Sequence, residues 1–171
     1  LSRKISKADI TTHKGEWAKK SLKGNEIKGK TIGIIGFGNV GKRFAQICDF
    51  LGLKVLIFSK TFDAIKNEYP VYMSCDLNKI LKDADIISFH CKPNLDGSPI
   101  ISSKEIAIMK NNVLIINTAR GNLVSEIDLN DAIKNNTIGG VALDVFEEEP
   151  AKNNILFGLE NVLLTPHIAA S

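Results

Sequence analysis

Four polar side chains in the second half of the sequence have the types needed to reduce a carbonyl group: Arg120, Asp144, Glu149 and His167. A guanidinium can hold a substrate carboxylate at two points. A histidine can give or take the proton on a reacting oxygen. A carboxylate beside that histidine stabilises its charged form and fixes its ring. Together these residue types indicate the reduction of a carbonyl group in a substrate that carries a carboxylate.

The segments that must position these residues are short apolar runs, and each of the four residues follows one of them. Unbroken runs of Val, Ile and Leu predict strands buried on both faces, at 31–37, 54–59, 85–90, 112–118, 139–145 and 161–167. A weaker strand is predicted at 70–74, and helical patterns occur at 40–51, 102–109 and 125–136. This alternation predicts an α/β fold, a doubly wound parallel sheet. The four side chains then converge, because the carboxyl ends of such strands line a ligand crevice.

A glycine-rich turn connects the first predicted strand to the first predicted helix. Gly36, Gly38 and Gly41 have the spacing G-x-G-x-x-G, which is informative only in such a strand–turn–helix context. Gly36 would allow the tight turn, Gly38 would let the backbone approach a pyrophosphate, and Gly41 would let helix and strand pack closely. The backbone N–H groups near Asn39 and Val40 would face the phosphates at the positive end of the helix. The turn therefore predicts a dinucleotide site of the Rossmann type.

The end of the second strand decides which dinucleotide is expected. Folds of this type commonly place an acid there for the adenosine ribose, but this chain has Ser59 followed by Lys60. A serine would not repel a 2′-phosphate, and a lysine could pair with it. NADP is therefore slightly favoured over NAD. Ser59 could equally bind a plain ribose while Lys60 points to solvent.

The four polar residues also have simpler interpretations when each is taken alone. Arg120 could lie on the surface, Asp144 could cap a strand end, Glu149 could be a solvated acid, and His167 could be an ordinary loop histidine. Their order and spacing in the chain favour the interpretation in which all four act together at one site.

Four motifs in order carry a resemblance to a known family: "GKTIGIIGFGNVGKRFA", "INTARG", "ALDVFEEEP" and "TPHIAAS". From about Gly15 to Ser171 the chain resembles the nucleotide-binding domain of the D-isomer-specific 2-hydroxyacid dehydrogenases. The resemblance implies that Arg120 grips a 2-oxo acid, that His167 is the catalytic acid/base, and that Glu149 is its partner. It implies NAD or NADP as cofactor and a small 2-hydroxy or 2-oxo acid as substrate.

The resemblance also implies further cofactor contacts. Asp144 matches an aspartate near the nicotinamide carboxamide, and Thr118 and Ala119 match positions whose backbone touches the nicotinamide half. Cys91 falls in a loop along the cofactor. Ala169 stands near the nicotinamide where many members have glycine, so its methyl group could crowd the cofactor slightly.

The resemblance further implies how the chain is organised. Residues 1–25 are expected to form a crossover and dimerisation arm of a homodimer, and residues 26–171 the dinucleotide-binding domain. Members of the family also have a substrate domain that these 171 residues lack, so we expect cofactor binding from this chain but little turnover. Corepressors of the same family keep the Arg, Glu and His, which leaves a non-catalytic dinucleotide sensor that binds protein partners as the alternative. A structural remnant that binds no cofactor is a third interpretation.

Composition excludes several other classes of function. The net charge is only +3 and no basic stripe is present, which argues against nucleic acid as a partner. No apolar run is long enough for a membrane span. Cys48, Cys75 and Cys91 lack metal-site spacing, so we predict no metal and three reduced thiols in a cytoplasmic protein.

Overall fold

The computed structural model describes residues 1–171 and contains a seven-stranded, entirely parallel sheet. The strands are β1 (Thr31–Ile35), β2 (Lys54–Phe58), β3 (Met73–Ser74), β4 (Ile86–Phe89), β5 (Leu114–Asn117), β6 (Gly140–Leu143) and β7 (Val162–Leu164). Their spatial order is β3-β2-β1-β4-β5-β6-β7. The sheet grows in one direction from β1 to β3 and in the other from β4 to β7. The predicted doubly wound fold is therefore confirmed, with its switch point between β1 and β4.

Each of the six predicted runs contains a strand, and the weak strand at 70–74 is present as β3. The strands are shorter than the runs because residues at the ends of the runs already belong to the loops. In β4 all four residues are buried, and in β1 four of five are buried. Such burial on both faces requires helices on both sides of the sheet.

Five α-helices connect the strands: α1 (Ile5–His13), α2 (Asn39–Phe50), α3 (Leu77–Asp83), α4 (Ser103–Ile106) and α5 (Glu126–Lys134). The sequence patterns did not predict α3. Its side-chain cap is Asp76, which accepts a hydrogen bond from the Lys79 amide at 2.7 Å. The predicted helix at 102–109 is reduced to the single turn α4, which begins with a capping box between Ser102 and Glu105.

Helix α2 packs through only part of its apolar pattern of Val40, Phe44, Ile47, Cys48 and Leu51. The side chains of Val40 and Ile47 are 68% and 49% exposed, whereas Ala45 and Cys48 are buried against the sheet. Small residues on this face allow α2 to lie close to β1 and β2. The close approach matters because the amino end of α2 is the end that the glycine turn must present to a ligand.

The first 25 residues lie outside the sheet. Helix α1 buries none of its residues, and Lys7 pairs with Glu160 at 3.0 Å. His13 is exposed, and Trp17 is 85% exposed. No helix in the structure is both long and apolar enough to cross a membrane.

Candidate active site

The glycine turn lies at the switch point of the sheet. The amide of Gly36 donates to the carbonyl of Phe58 at 2.8 Å, and the amide of His90 donates to the carbonyl of Ile35 at 2.7 Å. Gly36 has φ +99°, which disfavours any side chain. A Cβ on Gly41 would overlap the carbonyl oxygen of Gly36. A Cβ on Gly38, in contrast, would meet nothing within 4 Å.

The turn opens into a cleft of about 730 Å³ between the carboxyl ends of β1, β2 and β4. Its walls include five of the residues predicted to contact a dinucleotide: Gly36, Gly38, Ser59, Lys60 and Cys91. Asn39 and Val40 follow directly as the first two residues of α2, where helix amides have no intrahelical partners. The lining contains two lysines, Lys60 and Lys92, and no acidic residue. This space, with free helix amides and positive side chains, fits an anionic dinucleotide.

Two glycines of this turn should respond differently to alanine. Gly38→Ala should leave the melting temperature unchanged but weaken NADH and NADPH binding at least tenfold, because the methyl group would project into open space where the ligand lies. Gly41→Ala should lower the free energy of unfolding by ~1–3 kcal/mol, because the methyl group collides with backbone. Thermal unfolding and fluorescence titration of both variants would check this. Normal cofactor binding by a folded Gly38→Ala variant would contradict the role given to the turn.

His90 lies beneath the turn at the end of β4. Its Nε2 is 3.0 Å from the hydroxyl of buried Ser88, and its ring packs beside Phe44 with centroids 5.0 Å apart. Burial lowers the pKa of His90 from the ordinary 6.5 to about 4. The imidazole is therefore neutral at physiological pH.

This neutrality predicts a pH-dependent stability. The unfolded chain binds a proton at His90 below about pH 6.5 while the folded chain does not until about pH 4. The free energy of unfolding is therefore highest above pH 6.5, where His90 is neutral in both states. It falls as the pH drops towards 4, by a total on the order of 3 kcal/mol. His90→Gln should remove this part of the pH dependence in urea unfolding, whereas His13→Gln, on the exposed arm, should not. Identical pH profiles of stability for His90→Gln and the parent chain would refute this role of His90.

The loop after β7 is anchored by Asp144, which is only 3% exposed at the end of β6. The carboxylate accepts hydrogen bonds from the Thr165 hydroxyl at 2.5 Å and from the amides of Ile168 and Ala169 at 2.9 and 2.8 Å. Burial alone would raise the pKa of Asp144, but these hydrogen bonds outweigh it and hold the pKa below its ordinary value. Asp144 therefore shapes the loop that carries His167.

His167 and Glu149 are in direct contact. The Nδ1 atom of His167 is 2.8 Å from Oε2 of Glu149, and the amide of Phe146 donates to Oε1 of Glu149 at 3.0 Å. These hydrogen bonds, that of His167 first, hold the pKa of Glu149 below its usual range. The contact fixes the ring and leaves Nε2 for a substrate. The pair lines a cavity of about 520 Å³ with Pro166, Phe157 and neighbouring residues.

His167 also has φ +54°, a backbone conformation that residues other than glycine seldom adopt. His167 lies between the residues of this loop that Asp144 binds, Thr165 on one side and Ile168 and Ala169 on the other. Residues in such conformations are concentrated at functional sites.

Arg120 begins the turn after β5, next to β6 in the sheet. Its guanidinium is exposed and uses one N–H to reach the carbonyl of Ala119 at 2.6 Å. The remaining donors are available, since a guanidinium has five N–H groups. Thr118 is exposed beside it and Ala119 is half-buried. The turn therefore presents a cation at the same edge of the sheet as Glu149 and His167.

Two positioning residues were not singled out in the sequence. Asn117 is fully buried, donates from Nδ2 to the carbonyl of Arg120 at 2.8 Å, and accepts from the amide of Ala119 at 3.0 Å. Thr165 binds Asp144, as described above. A polar residue directly after an apolar run was the available signal for both.

Cys91, after β4, needs no hydrogen-bond partner, since burial raises its pKa and keeps the thiol neutral.

Comparisons with known proteins agree with this geometry. Residues 1–169 match the family model described as D-isomer specific 2-hydroxyacid dehydrogenase, NAD binding domain. The chain is 38% identical to a glyoxylate reductase of Thermococcus litoralis, covering 100% of this chain and 54% of that protein. It is 38% identical to a D-3-phosphoglycerate dehydrogenase of Methanocaldococcus jannaschii, covering 99% of this chain and 33% of that protein.

A solved structure of an acyclic imino acid reductase in complex with NADPH and D-Arg superimposes with a TM-score of 0.87 at 36% identity. The match covers 97% of this chain and 52% of that one. The chain thus spans between a third and about half of the lengths of these relatives. With the family model matched over nearly all of its residues, the chain belongs to the D-isomer specific 2-hydroxyacid dehydrogenase family, in which it is an NAD-binding domain.

Proposed function

We propose that the protein is an NAD(P)-dependent D-2-hydroxyacid dehydrogenase. It would transfer hydride between a nicotinamide cofactor and C2 of a small D-2-hydroxy acid or its 2-oxo acid. The observation that carries this proposal is the 2.8 Å contact between His167 and Glu149, on loops at the same edge of the sheet as Arg120 and the dinucleotide cleft. An acid/base, its carboxylate partner and a carboxylate-binding cation are the groups such a reaction requires.

The three residues have different roles in the proposed reaction. The guanidinium of Arg120 grips the substrate carboxylate and polarises the carbonyl. His167 gives its proton to the oxygen during reduction and takes it back during oxidation. Glu149 fixes the orientation of the imidazole ring through Nδ1. The nicotinamide cofactor, when bound, supplies or accepts the hydride.

The remaining predicted residues would hold the cofactor. The glycine turn and the first amides of α2 would bind the pyrophosphate. Cys91 would lie in a loop along the cofactor, while Thr118, Ala119 and Ala169 would border the nicotinamide. Asp144 gives three of its roughly four acceptor positions to the loop after β7. Its main role would therefore be to hold that loop, and at most one position is left for the carboxamide.

We propose NADP as the preferred cofactor. The cleft contains Lys60 and Lys92 but no acid, and Ser59 has a half-buried hydroxyl whose neighbours are the Thr61 amide and hydroxyl. Lys60→Ala should weaken NADPH binding about tenfold, the effect of losing one charge-assisted hydrogen bond, and leave NADH binding unchanged. Lys66→Ala, on the exposed turn after β2, is the matched control. Equal NADH and NADPH affinities in the parent chain would refute this preference.

The substrate class and the assembly are part of the same proposal. Glyoxylate, hydroxypyruvate, a lactate-type acid and 3-phosphoglycerate are the candidate substrates, in keeping with the relatives.

Residues 1–25 would form the arm of a homodimer, supported by exposed Trp17 and a helix α1 without buried residues. Three free thiols support a cytoplasmic location. A light-scattering mass of one chain would contradict the dimer.

The test is an assay of the full-length protein with NADPH or NADH and each 2-oxo acid in turn. We expect turnover with at least one of them and the D-isomer as product. Cofactor binding without turnover of any 2-oxo acid would reject the enzyme and favour the dinucleotide sensor. Failure to bind either cofactor would favour a structural remnant.

A further inference from the structure

A buried acid that the proposed mechanism does not use lies at the start of α5. Glu126 is 8% exposed, although an acid is rarely buried without partners. Its Oε1 accepts from the amide of Glu147 at 3.0 Å, and its Oε2 accepts from Nδ2 of Asn154 at 2.7 Å. Both oxygens are therefore committed to the segment that follows β6.

The contact between Glu126 and Glu147 is reciprocal. The amide of Glu126 donates to Oε1 of Glu147 at 2.9 Å, so each residue binds the other's backbone. Two such bonds fix both the distance and the orientation of the two segments. The chain at Glu147 is thereby held against the first turn of α5, which is capped by the Ser125 side chain.

The segment held in this way carries the partner of His167. Phe146, directly before Glu147, donates its amide to Oε1 of Glu149 at 3.0 Å. The other oxygen of Glu149 contacts His167 at 2.8 Å. Three hydrogen bonds, joined by the peptide link between Phe146 and Glu147, therefore connect Glu126 to the imidazole.

The same segment also contacts the turn that presents Arg120. A Cβ on Gly121 would overlap the carbonyl of Phe146, so the two backbones touch there with no side chain between them. A shift of residues 146–147 would consequently move the Arg120 turn as well as Glu149. Glu126 thus holds the backbone segment on which the positions of all three proposed catalytic side chains depend.

We propose that Glu126 is a positioning residue, which with Glu147 and Asn154 sets the placement of Glu149, His167 and Arg120. The inference rests on the proposed function, because it takes these three residues as the catalytic ones. Glu126 does not line the dinucleotide cleft, which is formed by β1, β2 and β4. Its loss should therefore reduce the rate of the chemical step and leave cofactor binding unchanged.

The decisive variant is Glu126→Gln in the full-length protein. Glutamine keeps the volume and one oxygen for the Glu147 amide, but it turns an NH₂ group towards Nδ2 of Asn154. Asn154 cannot simply flip, because its Oδ1 already accepts from the amide of Leu156 at 2.9 Å. We expect kcat for 2-oxo acid reduction to fall ~10- to 100-fold, as displaced catalytic groups do, with KM for the cofactor unchanged.

A second variant tests whether the loss of the hydrogen bond between Glu126 and Asn154 causes the fall in kcat. Adding Asn154→Asp to Glu126→Gln restores a donor facing an acceptor and keeps an oxygen for the Leu156 amide. The double variant should regain most of the lost kcat. Glu148→Gln, an exposed neighbour of Glu147 with no hydrogen bond, is the control and should behave as the parent. Thermal unfolding of each variant shows whether the fold is retained.

An activity-independent measurement separates this inference from the proposed function. The imidazole nitrogen resonances of His167, one of three histidines, should shift in Glu126→Gln and return in the double variant. The same shifts in a protein without any turnover would support the positioning role and reject the proposed function. An unchanged kcat and unchanged His167 resonances in a folded Glu126→Gln variant would overturn the inference. A kcat loss that the double variant does not restore would overturn it too.

Discussion

His167→Ala in the full-length protein is expected to abolish measurable reduction of a 2-oxo acid. Positioned proton transfer contributes ~10²- to 10⁴-fold to a rate, and alanine leaves no group to protonate the developing alkoxide. The variant should still bind NADPH, because the cleft at β1, β2 and β4 does not depend on this side chain. Steady-state kinetics with a cofactor titration on the same preparation checks both statements.

A matched variant shows whether the loss of rate is specific to His167. His13→Ala on the exposed arm, where the ring pairs only with Asp9 at 3.6 Å, is the control. Near-normal turnover in His167→Ala would refute the catalytic role.

Arg120→Lys should cost about as much as the loss of a preorganised oxyanion donor, ~10²- to 10³-fold in kcat/KM. Lysine keeps the charge but not the planar pair of N–H groups that matches a carboxylate. The guanidinium is exposed and bonded only to the carbonyl of Ala119, so the substitution should leave the melting temperature unchanged. Kinetics with a 2-oxo acid, and unfolding followed by circular dichroism, measure the two effects.

Arg43→Lys on the exposed surface of α2 is the matched control for Arg120→Lys and should show parent kinetics. If Arg120→Lys binds and reduces the 2-oxo acid as well as the parent does, the bidentate grip is not used. If it loses stability together with rate, the arginine would instead be a structural residue of the turn after β5.

The strands and the glycine turn were predictable from the sequence because their causes are local. Runs such as Ile86–Phe89 are apolar throughout, and only strands covered on both faces bury such runs. Gly36 and Gly41 are needed by the turn itself, where their neighbours are backbone atoms. Helix α3 was missed because it has only seven residues, too few for a clear periodicity, although its cap Asp76 was visible.

The resemblance named Glu149 and His167 as partners, but nothing local in the sequence determines their contact. They are 18 positions apart and meet because β6 and β7 pair in a register that brings their following loops together. The exposure of Val40 and Trp17 could likewise not be predicted from the sequence, since it depends on which surfaces the rest of the chain covers.

By itself, the sequence determined the order of the strands along the chain, the class of ligand and the residue types available for chemistry. The tertiary structure alone decided that Asp144 is committed to the loop after β7 and that Glu126 is clamped to Glu147, 21 positions away. The physical reason is that a buried carboxylate takes whichever donors the packed backbone brings to it. Those donors are distant in the chain and become neighbours only when the parallel sheet aligns its strand ends.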